Sequence, residues 1–300
     1  MAEMLPVPAT SLDPQKPATM QASWSARLIG LLEEQPLLEA AQKKLTDWLQ
    51  PLVDWSESTG LKDVLHGRQI GHSLHPIATD LPIGFWTSAM LLDLAGAKRS
   101  ARLMTAMGCA TAVVAAASGT ADWTATHGRE RRLGLLHGAL NVTGLACQAT
   151  ALVSRRHYTR WNWIGSAITT ATAYLGGELV YGRGVGVDHD AWTAGPADWT
   201  PTCRVTDIPD GLMKGVQVEG RRVLLHRQGA FVSAMENACT HMGGPLDEGR
   251  VDAEVVTCPW HGSRFRLTDG ACMRGPATFP QLRLEARVRG GVVEVRGRAG

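Results

Sequence analysis

The sequence predicts a multi-domain chain, an all-α four-helix transmembrane bundle followed by a small all-β domain. Three observations predict it. Four apolar runs of near-bilayer length follow one another between Ile77 and Tyr181. Beyond residue 200 the pattern changes to strand-length runs broken by glycine-bearing turns. Charged residues gather in the first seventy and last hundred positions and leave a middle rich in Ala, Gly and Thr.

Residues 1–22 are rich in Pro, Ala and Thr, and a basic start followed by an apolar stretch is missing. A disordered tail without a secretory signal is expected there. Residues 23–70 read as an amphipathic helical segment, with Leu31-Leu32, Leu37-Leu38, Leu45 and Trp48-Leu49 recurring opposite the charges. Such a helix pair lies on a membrane or bundle end, or forms a cytosolic hairpin.

Residues 71–182 hold the expected spans, 77–97, 103–123, 133–153 and 161–181. The third carries no acid, Lys or Arg. A soluble bundle would show a polar stripe at every turn, and no stripe of charges is present. Ala115-Ala116-Ala117 and Gly176-Gly177 suit close helix packing in lipid. The connecting loops all carry arginines, so the positive-inside count is nearly balanced. Four spans put both termini on one side, by default the cytoplasm.

Parity also gathers polar residues at one face. His75 and Asp80 open the first span, Asp122 closes the second, His137 and Asn141 open the third, and Glu178 closes the fourth. Asp93, at the far end, is the exception. Three readings stand open: a b-type haem held by His75 and His137, a quinone pocket with a proton-accepting carboxylate, or interfacial residues that cap and bind the helices. His66, His72 and His127 fall in expected loops and are weaker candidates.

Residues 183–200, with Gly184, Gly186, Gly195 and Pro196, read as a linker, flexible at first and then stiffened by proline. In residues 201–300 strands are expected at 216–218, 222–226, 231–235, 255–258, 263–267, 282–288 and 292–296. Asp269-Gly270 and Gly290-Gly291 are hairpin turns.

Two loops of this β part carry the chemistry. Cys239-Thr240-His241 and Cys258-Pro259-Trp260-His261 each offer one sulfur and one imidazole. A [2Fe-2S] centre in which two histidines replace two cysteines on one iron needs that set. Gly243, Gly244 and Gly262 let backbone approach a cofactor, and Ser263 is placed to donate a hydrogen bond to a sulfur. A structural zinc site is the alternative, but zinc sites more often pair Cys with Cys and His with His.

This stretch, from about Trp199 onward, resembles the Rieske iron–sulfur domain through C-x-H…C-x-x-H, Gly243-Gly244-Pro245-Leu246 and Pro259-Trp260-His261-Gly262-Ser263. The resemblance implies that Cys239 and Cys258 hold one iron and that His241 and His261 hold the other, near the surface where electrons enter and leave. Quinol-oxidising relatives carry an extra disulfide whose positions here correspond to Gly244 and Trp260. The domain therefore resembles the ferredoxin and oxygenase type, which implies a potential toward the low end of about −150 to +300 mV.

The helical part resembles an uncharacterised family of bacterial four-helix membrane domains. The likeness lies in Gly71-His72-Ser73-Leu74-His75-Pro76, Leu81-Pro82-Ile83-Gly84-Phe85-Trp86, His137-Gly138-Ala139-Leu140-Asn141 and Leu175-Gly176-Gly177-Glu178-Leu179-Val180-Tyr181. It implies a bacterial inner membrane.

Of the six cysteines, Cys109 and Cys147 fall in apolar runs, while Cys203 and Cys272 are expected as free thiols. A net charge of +2 gives no reason to expect a nucleic-acid partner. The expected function is membrane-bound single-electron transfer, with donor and acceptor proteins or a quinone as partners. Alternatives are a membrane-anchored ferredoxin component of an oxygenase or reductase system, and a redox sensor. The chain ends too soon after the second motif for a terminal oxygenase's catalytic domain.

Overall fold

A computed structural model describes residues 24–297; the expected N-terminal tail lies outside the described residues. Among these residues seven α-helices precede ten strands: α1 (Trp24–Glu33), α2 (Pro36–Ser58), α3 (Leu61–His66), α4 (Leu74–Leu94), α5 (Lys98–Thr124), α6 (Gly128–Val153) and α7 (Tyr158–Gly177). The amphipathic segment is thus three helices rather than two. Pro36 starts α2, where a missing N–H costs nothing. Gly60 and Gly67, both left-handed, bracket α3. A side chain at Gly67 would strike the His72 carbonyl, so the turn into α4 requires glycine.

Helices α4 to α7 form the bundle. Neighbours in sequence pack side by side, α4 also meets α7, and α4 and α6 stand on the diagonal. The buried face of α5 is a stripe of small residues, Ala101, Thr105, Gly108, Ala112, Ala115 and Ser118. At Gly108 the Trp86 indole of α4 lies where a Cβ would be, 2.3 Å from Nε1.

The bundle interior is built of small residues and includes buried polar side chains, while large apolar side chains face outward. Gln148 is fully buried and donates to the Asn162 carbonyl (3.2 Å) and Ser166 Oγ (3.0 Å). Leu81, Leu91, Leu103, Val113 and Val142 are exposed. By length and mean hydropathy together, one described helix, α5, is long and apolar enough to cross a membrane. The sequence reading expected four such spans. Helices α4, α6 and α7 reach the length, but His75, Asp80 and Asp93 in α4, Asn141 and Gln148 in α6, and Asn162 in α7 lower their hydropathy.

The β part contains two antiparallel sheets. β1 (Thr200–Arg204), β10 (Val292–Gly297), β9 (Arg283–Arg289), β4 (Phe231–Glu236), β3 (Arg221–Gln228) and β2 (Met213–Val218) lie side by side in that order. β5 (Arg250–Asp252), β6 (Val255–Thr257), β7 (Arg264–Arg266) and β8 (Cys272–Arg274) make a smaller meander. Alternation along β3 builds two cores. Val223 and Leu225 face Ile208, Leu284 and Val295, while Leu224 faces Phe265, Leu246 and the two motif cysteines. Gly290 and Gly291, both at positive φ, turn β9 into β10 as expected. Strands β1, β5 and β8 were not anticipated; the last two are three residues long.

The stretch between α7 and β1 is fastened to the β part rather than loose. His189 N–H bonds the Thr240 carbonyl at 3.1 Å, and Asp190 is buried against Gln281. The small sheet meets the first helices: Gly275 N–H donates to Asp63 (2.9 Å), and Arg274 pairs with Glu57 (3.4 Å).

Gly108→Ala is expected to destabilise the bundle by about 1–3 kcal/mol through overpacking against Trp86. Gly84→Ala, whose Cβ would meet nothing within 4 Å, should stabilise α4 by up to about 1 kcal/mol. Thermal unfolding in detergent, followed by circular dichroism, checks the opposite signs.

Candidate metal centre

Cys239 and Cys258 head two loops that close in the same way. In each, the cysteine N–H bonds the carbonyl five residues on (Gly244 at 2.9 Å, Ser263 at 2.8 Å). The glycine four residues on returns its N–H to the cysteine carbonyl (Gly243 at 2.7 Å, Gly262 at 3.2 Å). Both glycines are left-handed, φ +72° and +77°, which a Cβ would oppose. The loops therefore superpose in plan although the histidine stands two places after one cysteine and three after the other.

These loops bring all four motif side chains together. The thiols are buried and hydrogen-bonded to each other. The imidazoles face one another with Nδ1 atoms 3.2 Å apart. Among the described residues no three His, Cys, Asp or Glu side chains converge on a single point. One pair of thiols and one pair of imidazoles match the two donors that each iron of such a centre takes.

The protonation of the site suits metal capture. The bond from Cys239 pulls the Cys258 thiol down to about 7, against the opposing effect of burial, while the same bond and burial push Cys239 up. Burial first, then the neighbouring imidazoles of His261, His66, His189 and His127, holds His241 well below the usual histidine range. Burial, then His127, Arg131 and Lys62, takes His261 down to about 4. Both histidines are thus neutral at physiological pH, the form that offers a lone pair.

Gly244 must be glycine: a Cβ would lie 2.9 Å from the Cys258 sulfur and 3.1 Å from the Trp260 ring. Gly244 and Trp260, the positions matched to a disulfide in other relatives, therefore face each other here with no sulfur in either. Ser263 is fully buried, and its Oγ accepts the Ala277 N–H at 3.0 Å, which leaves its own proton to donate. All six cysteines are free thiols.

The C-terminal region matches the Rieske [2Fe-2S] domain over residues 198–286. The ferredoxin CarAc of Metapseudomonas resinovorans is 34% identical over 100 residues, 33% of this chain and 94% of that protein. The chain belongs to the Rieske iron–sulfur family. The ferredoxin component of the Pseudomonas aeruginosa naphthalene 1,2-dioxygenase system is 30% identical over 80 residues, 27% of this chain and 77% of the relative. Among solved structures, the ferredoxin of carbazole 1,9a-dioxygenase from Nocardioides aromaticivorans aligns at 29% identity and a TM-score of 0.32, covering 33% of this chain and 99% of that one. Residues 71–189 match a second family, described as a predicted membrane protein (DUF2231). The family match at residues 198–286 and the ferredoxin relative speak for a [2Fe-2S] cluster and are silent on haem.

The outer edge of the Rieske site differs from the expectation of solvent-facing histidines. His261 Nε2 lies 2.5 Å from His127 Nδ1, with the rings stacked at 4.3 Å. His127 sits at the N-cap of α6. His66, at the end of α3, is 1% exposed and bonds Asp122 Oδ1 through Nδ1 at 2.8 Å. Asp122 in turn accepts from Ser73 at 3.3 Å. These histidines, ranked low from sequence because they fall between apolar runs, are the helical residues nearest the metal site. The remaining acidic residues disperse. Asp80 is exposed, Glu178 joins Arg183 (3.5 Å), and Asp93 pairs with Lys98 at the far end (2.6 Å).

Sequence reading also missed Gln281. Its Oε1 accepts the Thr240 N–H at 3.2 Å, and its Nε2 donates to Asp190 at 2.8 Å and to the Glu236 carbonyl at 2.9 Å, clamping the first ligand loop. No spacing marks a lone buried glutamine as special.

Burial, then Glu236 and Asp188, raises the Asp190 carboxyl to about 7. An acid whose folded pKa lies above its unfolded value weakens folding as pH climbs between the two. Stability should therefore fall between about pH 4 and 7, by no more than about 4 kcal/mol. Asp190→Asn keeps an acceptor for Gln281 and should flatten that slope, measured as urea midpoints across the pH range.

Proposed function

We propose that this chain is a membrane-bound electron-transfer protein. Cys239 and Cys258 bind one iron of the Rieske cluster, and His241 and His261 bind the other through Nδ1. The observation that carries the assignment is the convergence of two buried thiols and two Nδ1 atoms in loops closed by the same backbone bonds. When bound, the cluster takes up and returns one electron at a time. The protein's part is to desolvate the sulfurs, keep both imidazoles neutral and set the potential, with Ser263 donating toward a sulfur.

Membrane attachment is supported by the second family, by α5 and by the inverted bundle. We place the bundle at residues 71–182, a connector at 183–200 and the Rieske domain at 201–300, with both ends of the chain on the cytoplasmic side of a bacterial inner membrane. The relatives named as ferredoxin components of dioxygenase systems support an oxygenase or reductase as one redox partner. A second reading has its own observation. The outer nitrogen of His261 is taken by His127 of the helical part, so an electron leaving by that edge enters the bundle at the end where His75 and His137 lie.

Cys258→Ala and His261→Ala are each expected to lose the stoichiometric two irons and two sulfides, measured by metal and acid-labile sulfide analysis. Zinc in their place, or wild-type protein without sulfide, sinks the assignment. Ser263→Ala should retain the metal and lower the midpoint potential. A hydrogen bond that favours the reduced form tenfold is worth about 59 mV, readable by redox titration followed by paramagnetic resonance.

A further inference from the structure

The bundle consists of two hairpins, α4–α5 and α6–α7, that repeat one detail. His75 on α4 donates its Nδ1–H to the Ala115 carbonyl of α5 at 2.9 Å. One turn on, a Cβ at Gly119 would lie 2.6 Å from His75 Cε1. His137 on α6 donates to the Thr172 carbonyl of α7 at 3.1 Å. One turn on, a Cβ at Gly176 would lie 3.1 Å from His137 Cε1. Each imidazole is therefore seated on a glycine and held by the carbonyl four residues before it.

A carbonyl only accepts, so each Nδ1 carries the proton and each Nε2 keeps the lone pair. Fixing the tautomer through the far nitrogen is how metal-binding imidazoles are held. Helices α4 and α6 are diagonal in the bundle, and the two rings approach across it with centres 6.4 Å apart at 87°. That is too far for stacking. With metal–nitrogen bonds of about 2.0 Å and ring centres about 1.1 Å further out, two imidazoles on opposite sides of one iron have centres about 6.2 Å apart.

Among the described residues no third His, Cys, Asp or Glu joins the pair, so a bare ion would be short of donors. A macrocycle that brings four in-plane nitrogens needs only two axial ones, and bundle cores build such sites from facing helices. Asn141 Nδ2 stands 3.1 Å from His137 Nε2, but it also bonds its own helix at the His137 carbonyl (3.1 Å) and stays satisfied if Nε2 takes a metal. Among the described residues no hydrogen bond reaches His75 Nε2; Ser118 Oγ stands 3.5 Å from its Nδ1.

We propose that His75 and His137 are the two axial ligands of a b-type haem inside the bundle. This deepens the electron-transfer reading and rests on it for purpose, while the chemistry of the site is separate from the cluster. The geometry favours haem over a quinone pocket because two neutral imidazoles on diagonal helices come as a pair at this ring separation, while the Asp122 carboxylate is already engaged by His66 and Ser73.

The test uses the full chain, expressed with added haem precursor and purified in detergent. Pyridine haemochrome analysis and visible spectra report haem, and paramagnetic resonance reports the iron–sulfur cluster independently. About one low-spin haem per chain is expected in the wild type. Its loss is expected in His75→Gly and His137→Gly, recovery on adding imidazole, and no change in His72→Ala. A wild-type protein that shows the cluster signal yet neither carries haem nor takes up added haemin with a low-spin spectrum overturns the inference. An unchanged low-spin spectrum in both glycine variants overturns it equally. Haem without a cluster would sink the iron–sulfur assignment and leave this site standing.

Discussion

The return of each ligand loop onto its own cysteine is the constraint from which the rest of the β part follows. A left-handed glycine four residues after the cysteine sends its N–H back to the cysteine carbonyl, and the next residue's carbonyl accepts the cysteine N–H. The cysteine side chain then faces inward from the turn, into the core that Leu224, Phe265 and Leu246 close from the two sheets. Metal site and hydrophobic core are one object. A loop that opened would expose both thiols and unpack the small meander from the large sheet. Gln281 and Asp190 secure the first loop from behind, which ties the connector before β1 to the same point.

The two ferredoxin relatives named above are each about a third of this chain's length. In this chain the helical part occupies the edge of the domain where the histidines lie. His127 stacks on His261, Asp63 holds Gly275, and Glu57 pairs with Arg274. Contacts of this kind are mostly polar and solvent-edged, and each exposed ion pair contributes little, about 0–1 kcal/mol. On the proposed reading the docked arrangement is one that a soluble redox partner displaces without unfolding anything.

How much of this was legible in the sequence depends on range. The cysteine and histidine motifs, the Gly290-Gly291 hairpin and most strands are local patterns, and the structure places them as expected. The mutual approach of Gly244 and Trp260 was visible only through resemblance. Strands β5 and β8, Arg250-Val251-Asp252 and Cys272-Met273-Arg274, escaped because they lack the apolar run that marked the equally short β6. His66 and His127 escaped for another reason. A histidine beside an apolar run looks like a loop residue until a second domain is folded onto it. The repeat of His75 with Gly119 and of His137 with Gly176 was hidden by unequal spacing, since hairpins of different loop length carry the same contact at different separations.

The hydropathy of the bundle is also a long-range matter. Composition suggested four spans, yet by mean hydropathy α5 stands out from the others. In water, buried Gln148 and Asn162 with Leu and Val exposed would be costly on both counts. In lipid the same distribution is favourable. The apolar face meets hydrocarbon, and Gln148 donates across helices to the Asn162 backbone carbonyl and Ser166 Oγ where no water competes. Buried polar side chains that depress a helix's average therefore argue for the membrane once their partners are seen. The charged residues fit the same frame. Asp93 and Lys98 close one end of the bundle, and Asp122 with His66 closes the other. Between those ends lie the two imidazoles, His75 and His137, each bonded to a backbone carbonyl of the neighbouring helix.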